Sequence, residues 1–369
     1  MESNTHNIKK CSRVVVKIGS NVLTRKDGTI DSTRMSALTD QVVELYKNGI
    51  EVIMISSGAV ASGRSEIKVE KKLDSVSARQ LYSAVGQTKL IHKYYNLFKE
   101  YGIVCGQILT TKDGLSTRRH YLNQKQCMSV MLDNGVVPII NENDTVSVTE
   151  LMFTDNDELS GLISAMMNAD KLIILSNIDG IYNGDPSNSS SEVIREIIPN
   201  KTDITDYIST SKSQFGRGGM LTKSRISCKV AVEGIEVIIA NGKRDGILTD
   251  LLLTDKDIVC TRFLPSEKPI SELKKWIAHS DGFTKGSLHI NEGAHEALLG
   301  SQAISLLPVG VTKVCGEFEK DDIVEIVSPS GTHLGVGRVS ISHSEAKLIA
   351  GEKGHKPMVH YDYLYIENY

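Results

Sequence analysis

Six short runs dominated by β-branched and other apolar residues recur through the first two-thirds of the chain. They are RVVVKIG (13–19), IEVIMISSG (50–58), GIVCGQIL (102–109), GVVPIIN (135–141), KLIILSN (171–177) and IEVIIANG (235–242). Runs that are apolar on both sides predict strands of a sheet covered above and below. The stretches between them supply the cover. RMSALTDQVVELYKNG (34–49) is amphipathic, and in ELSGLISAMMNAD (158–170) Leu159, Leu162, Ile163, Met166 and Met167 share one face at helical spacing. The alternation predicts an α/β domain over residues 1–262, a doubly wound, mostly parallel sheet sandwiched by helices.

Near residue 263 the texture changes. FLPSEKPISELKKW carries Pro265 and Pro269 and reads as a linker (263–282) entering a short helix. Short runs punctuated by glycine follow: GSLHINEGA, GVTKVCGEF, DIVEIVSPSG and HLGVGRVSIS. They predict a small β-barrel over 283–355, with 356–369 as a C-terminal tail. A length of 369 residues suits two domains. The N-terminus lacks the apolar stretch of a signal peptide and no run is long enough to span a bilayer, which predicts a cytoplasmic protein. Six cysteines occur singly without a C-x-x-C pair, the pattern of reduced thiols rather than a zinc site. A formal net charge of −3 gives no global nucleic-acid or membrane footprint.

In open α/β sheets ligands bind beyond the carboxyl ends of the strands, and several ends here carry unusual residues. Lys17 finishes an apolar strand ahead of Gly19, Ser20 and Asn21. Its ammonium either meets an anion there or snorkels to solvent. Neither a Walker A loop nor G-x-G-x-x-G follows it. SSGAVASG (56–63) opens a helix with small residues, which fits an anion site or a tight turn. NENDTVSV (141–148) clusters Asn141, Glu142, Asn143 and Asp144, side chains that hold an ammonium group or build an Asx-rich turn. In FGRGGMLTKSR, Arg217, Gly218 and Gly219 form a flexible turn, and Lys223 falls near the start of the next helix, where a cation opposes the helix dipole unless a phosphate binds.

FTDNDELSG (153–161) sets Asp155, Asn156, Asp157 and Glu158 in a row. As a calcium loop starting at Asp155 it fails, because position 5 is Leu159 and position 12 is Met166. One capping residue is enough to start a helix, so the surplus of carboxylates asks for a function. No metal-ligand set is identified.

Taken together, VVVKIGSNVL, ISSGAVASG, INENDTV, TDNDELSG and GRGGMLTK resemble the glutamate 5-kinase family, within the amino acid kinase superfamily. LYSAVGQTKLI (81–91) and NADKLIIL (168–175) are similar to it too, and INEGA, SLLPVGV and GEFEKDDIVEI resemble its appended PUA domain. The resemblance implies ATP-dependent phosphorylation of the side-chain carboxylate of L-glutamate, the first step of proline synthesis. It implies that Lys17 and Lys223 neutralise the transferring phosphoryl group and that Asp157 holds both lysines. It implies glutamate binding by Ser57, Asp144 and Asn156. Nucleotide contacts fall to Lys17, Ser176, Asn177 and the segment Arg217, Gly218, Gly219, Met220, Leu221, Thr222 and Lys223, with Mg²⁺ carried on ATP. Feedback inhibition by proline and assembly into dimers or tetramers belong to the same implication. Asn177 departs from the family pattern, which places Asp there.

Rival readings are another kinase of the superfamily, acting on acetylglutamate, aspartate or carbamate, and a PUA-type RNA-binding protein. Residues 283–355 hold six Lys and Arg against nine Asp and Glu, a net of −3, the wrong sign for a surface that tracks RNA phosphates.

Overall fold

The computed structural model describes residues 11–70, 72–146, 156–186, 188, 190–199, 220–267, 271–280, 283–300 and 304–367. They pack as two compact units, residues 1–111 with 122–267 and residues 112–121 with 268–369.

The first unit is built on a sheet of eight strands: β1 (Arg13–Ile18), β2 (Glu51–Ser56), β3 (Val104–Thr110), β4 (Val136–Glu142), β5 (Lys171–Ser176), β6 (Glu196–Ile197), β7 (Glu236–Asn241) and β8 (Thr261–Phe263). Their spatial order is β3-β4-β2-β1-β5-β7-β8-β6. From β3 to β7 every pairing is parallel, and β8 then runs antiparallel to β7. The six apolar runs are the six parallel strands. The short β6 and β8 lack such runs: β8 pairs with the edge that β7 presents, and β6 pairs with β8.

Because neighbouring side chains point to opposite faces, β1 serves two layers. Val14, Val16 and Ile18 enter one core with Val52 and Met54 of β2 and with helices α2 (Ser32–Lys47) and α4 (Ser75–Lys99). Val15 and Lys17 face the other way, where α6 (Asn156–Met167) packs. Every residue of α6 except Asn156 and Glu158 is buried, as a helix with so little polar surface must be. Helix α1 (Ser20–Leu23) precedes α2, α3 (Ala59–Arg64) and α5 (Arg118–Asp133) come between α2, α4 and α6, and α7 (Met220–Val232) and α8 (Ile247–Leu253) flank β7.

Parallel pairing brings the C-terminal ends of β1, β2, β4, β5 and β7 to one edge. Ile18 lies beside Ser56 and Leu175, and Ser176 beside Asn241. Two glycines set how closely α4 crosses α3 behind that edge. A Cβ on Gly86 would stand 1.7 Å from the Ala59 carbonyl oxygen, and one on Gly63 would stand 1.8 Å from that of Tyr82. Backbone meets backbone here, and no side chain fits.

In the second unit β9 (Gly286–Ile290), β10 (Val311–Gly316), β11 (Ile323–Val327), β12 (His333–Val339) and β13 (Val359–Ile366) form a sheet in the order β10-β9-β11-β12-β13. Leu288, Ile290, Val324, Ile326, Leu334 and Val359 are among the residues of its core. Helices α9 (Glu272–Ala278), α10 (Glu292–Leu299) and α11 (His343–Ile349) complete it. Two segments assigned elsewhere by the sequence belong to this unit. Residues 112–121 do so through Leu115, which is fully buried, and Arg118, whose guanidinium lies over the rings of Tyr121 and Trp276. Residues 359–366, in the stretch read as a tail, form β13 and pair with β12. No helix among the described residues is long and apolar enough to cross a membrane.

Candidate active site

Lys17 is the fifth residue of β1 and points to the α6 face, where its side chain is only 6% exposed. A buried ammonium needs a counter-charge. Asp157, in the first turn of α6 and fully buried, supplies it, with Oδ1 2.5 Å from Lys17 Nζ. The other oxygen, Oδ2, accepts a hydrogen bond from Lys223 Nζ at 2.6 Å. Lys223 sits in the first turn of α7, and α7 packs against α6. Burial opposes ionisation of Asp157, but the two ammonium groups outweigh it and hold the carboxyl below its ordinary value. One carboxylate is thus clasped by two cations.

Beside it is a neutral group. Asn156, the first residue of α6, donates through Nδ2 to Ser57 Oγ at 2.9 Å and to Asn141 Oδ1 at 3.0 Å. Ser57 directly follows β2, and Asn141 lies next to last in β4, so one amide ties two strand ends to the helix start.

Asp144 is held differently. Its Oδ1 accepts from Arg79 Nε at 2.8 Å and also from Arg79 Nη2, and its Oδ2 accepts from Ser83 Oγ at 2.8 Å. Arg79 Nη2 also reaches Glu142 Oε2 at 3.1 Å. Gln80 donates to the Thr145 carbonyl at 2.9 Å and Gln87 to that of Glu142 at 3.4 Å. Helix α4 therefore straps the chain leaving β4 along residues 142–145.

Ser176 and Asn177 close β5, where the Ser176 carbonyl accepts from the Gly242 amide at 2.8 Å. The Leu175 carbonyl one residue earlier accepts from the Gly19 amide at 3.1 Å, so the turn after Lys17 lies against this strand end. Met220, Leu221 and Thr222 precede Lys223 in α7, with Leu221 63% exposed. Arg217, Gly218 and Gly219 lie outside the described residues, as do residues 153–155 of the acidic row.

The structure thus brings together Lys17, Asp157 and Lys223, and separately Ser57 and Asn156. It gives Asp144 partners that the sequence reading did not name, Arg79 and Ser83. The signal for them was present: Arg79, Ser83 and Gln87 recur at i, i+4 and i+8 in an otherwise apolar helix face.

Among the described residues, no group of three or more His, Cys, Asp or Glu could hold a metal ion, and Asp157 is already engaged by two ammonium groups. Mg²⁺ binds through few carboxylates and keeps water and phosphate ligands, so a magnesium ion carried on nucleotide phosphates is compatible with these residues.

Comparison with known proteins decides the family. The amino acid kinase family matches residues 12–241, which include both lysines and Asp157. The chain belongs to the amino acid kinase family. The PUA domain matches residues 286–361, the span of the second unit's sheet from β9 into β13. A Bacteroides thetaiotaomicron protein named glutamate 5-kinase is 65% identical over 96% of this chain and 99% of its own. One of the same name from Chlorobaculum tepidum is 45% identical over 96% of this chain and 97% of its own. Among solved structures, an isopentenyl phosphate kinase from T. acidophilum covers 68% of this chain and 100% of its own at 15% identity, with a TM-score of 0.49.

Proposed function

We infer that this protein is a glutamate 5-kinase, which transfers the γ-phosphoryl group of ATP to the side-chain carboxylate of L-glutamate. The observation that carries this reading is Asp157, fully buried and clasped by Lys17 and Lys223 at the carboxyl edge of a parallel sheet. The amino acid kinase relatives that match nearly the whole chain support the choice of acceptor.

In the reaction a carboxylate oxygen of glutamate attacks the γ-phosphorus. A new O–P bond forms, the bond from that phosphorus to the bridging oxygen breaks, and its electron pair leaves with ADP. The acceptor is already ionised at neutral pH, so the step needs no general base. What it needs is position and positive charge. Lys17 and Lys223 provide the charge, fixed in advance by Asp157, so nothing reorganises as charge moves onto the leaving oxygen. Magnesium on the ATP phosphates adds further neutralisation when bound. Ser57 and Asn156 bind glutamate, and Asp144 takes its α-ammonium. Ser176, Asn177 and residues 217–223 line the nucleotide, with Leu221 offering an exposed apolar surface. The same reading takes in the first step of proline synthesis, a cytoplasmic location, assembly into dimers or tetramers and inhibition by proline. These rest on family resemblance.

The test is ATP turnover with hydroxylamine present to trap an acyl phosphate as the hydroxamate. Product is expected with L-glutamate and not with N-acetylglutamate, aspartate, or bicarbonate plus ammonia. Lys223→Ala is expected to lower it by about 10²–10³-fold, the usual cost of removing one charge-stabilising donor. Hydroxamate from another acceptor would keep the kinase and discard glutamate.

A further inference from the structure

We propose that Arg79 is a positioning residue for glutamate: it fixes the Asp144 carboxylate in the one orientation that receives the substrate's α-ammonium. The proposal rests on the glutamate 5-kinase reading and adds to it a residue that touches no substrate.

The argument begins with what Asp144 has left to offer. A carboxylate has about four lone-pair sites on its two oxygens. Arg79 Nε and Nη2 take two on Oδ1, and Ser83 Oγ takes one on Oδ2. The remaining acceptor position is on Oδ2, and its direction is set by the other three bonds. Arg79 is itself held in place, because its Nη2 also reaches Glu142 Oε2 at 3.1 Å. A guanidinium suits this task, since its planar fork aims two donors at one oxygen of Asp144 while one of them also spans to a second carboxylate. Both carboxylates are buried, while Arg79 is partly open.

Charge and position make opposite predictions for removal of Arg79. If the arginine merely repels the ammonium, its loss tightens glutamate binding. If it positions Asp144, its loss weakens binding. Position wins, because a misplacement of about 1 Å at a reacting site costs on the order of 10²-fold.

The experiment compares wild type, Arg79→Met, Arg79→Lys and Ser83→Ala in steady-state kinetics, with a thermal melt of each. Arg79→Met is expected to raise the glutamate KM by about 10- to 100-fold, with the ATP KM changed less than about twofold. Arg79→Lys keeps the charge but loses the fork, and Ser83→Ala loses one bond. Both are expected to raise the glutamate KM by a few-fold. Competitive inhibition by glutarate, a diacid without the ammonium, should be the same in all four proteins.

A glutamate KM that is unchanged or lower in Arg79→Met overturns the proposal, as does an equal loss of glutarate binding. If Arg79→Met does not fold, Arg79→Lys and Ser83→Ala decide: wild-type glutamate KM values in both overturn it. The glutamate 5-kinase reading is tested separately by wild type alone. A wild-type protein that does not turn over glutamate refutes that reading and this proposal with it.

Discussion

Two charge clusters stand at the carboxyl edge of the same sheet with opposite designs. In one, Asp157 lies between Lys17 and Lys223, a carboxylate clasped by two cations. In the other, Arg79 lies between Asp144 and Glu142, a cation clasped by two carboxylates. Asn156 joins the two, since it precedes Asp157 and hydrogen-bonds Asn141, which precedes Glu142. The difference teaches that burial by itself does not select a sign.

The sharpest way to break this comparison is to remove the organiser of the positive cluster. Asp157→Asn removes the buried carboxylate that Lys17 and Lys223 share, and breaking a buried ion pair in this way costs about 3–5 kcal/mol of stability. Turnover is expected to fall by about 10³-fold while the glutamate KM moves little, because the loss is in transition-state charge stabilisation. Acid unfolding provides a second readout. The Asp157 carboxyl ionises below its ordinary value in the folded chain, so its contribution is present above the unfolded value and is lost as pH falls through the folded one. Wild type should therefore lose stability more steeply than Asp157→Asn below about pH 4, as measured by denaturant midpoints at stepped pH.

The negative cluster depends on where α4 lies, and that depends on Gly86. In Gly86→Ala the new methyl group would stand 1.7 Å from one backbone oxygen and 2.6 Å from the Gly63 nitrogen, and neither can step aside as a side-chain tip would. A loss of about 3 kcal/mol or more is expected, read as a lower denaturant midpoint. Any residual activity should show the glutamate KM raised more than the ATP KM. Equal changes in both would mean that α4 serves the whole domain and not the acidic cluster.

Between the clusters, Ser57→Ala removes the hydroxyl that accepts from Asn156. The lost hydrogen bond is worth about 1–3 kcal/mol if its partner stays buried, so the glutamate KM should rise by about 10-fold. The smallest effect belongs to the strand end at β5. Asn177→Asp should change the ATP KM by a few-fold and leave turnover within about twofold, and an unchanged ATP dependence would remove Asn177 from the nucleotide site.

Strands β1, β2, β5 and β7 were legible because a strand buried on both faces must be apolar throughout, a pattern that survives without knowledge of its neighbours. The edge strand β3 shows an apolar run although Val104 and Leu109 are exposed. Helix α6 was legible from the helical spacing of its apolar residues, Lys17 as a charge ending an apolar strand, and Asp157 as part of an acidic row. The family motifs extended this to Lys223, Ser57, Asn156 and Asp144. The strand β13 escaped notice because VHYDYLYI mixes polar and apolar residues and pairs on the edge of its sheet. The segment 112–121 reads as part of the first domain, and only packing around Leu115 and Trp276 assigns it to the second unit.

What the sequence by itself determined is the local chemistry: which stretches must be buried, where strands end, and which ionisable groups those ends carry. What only the tertiary structure decided is which of those groups meet. Lys17 and Asp157 are 140 residues apart, and Arg79 and Asp144 are 65 apart. No spacing rule connects such positions. Parallel strand order and the close crossing of α3 and α4 do, because charges separated along the chain acquire shared function only when the backbone places them within a hydrogen bond of each other.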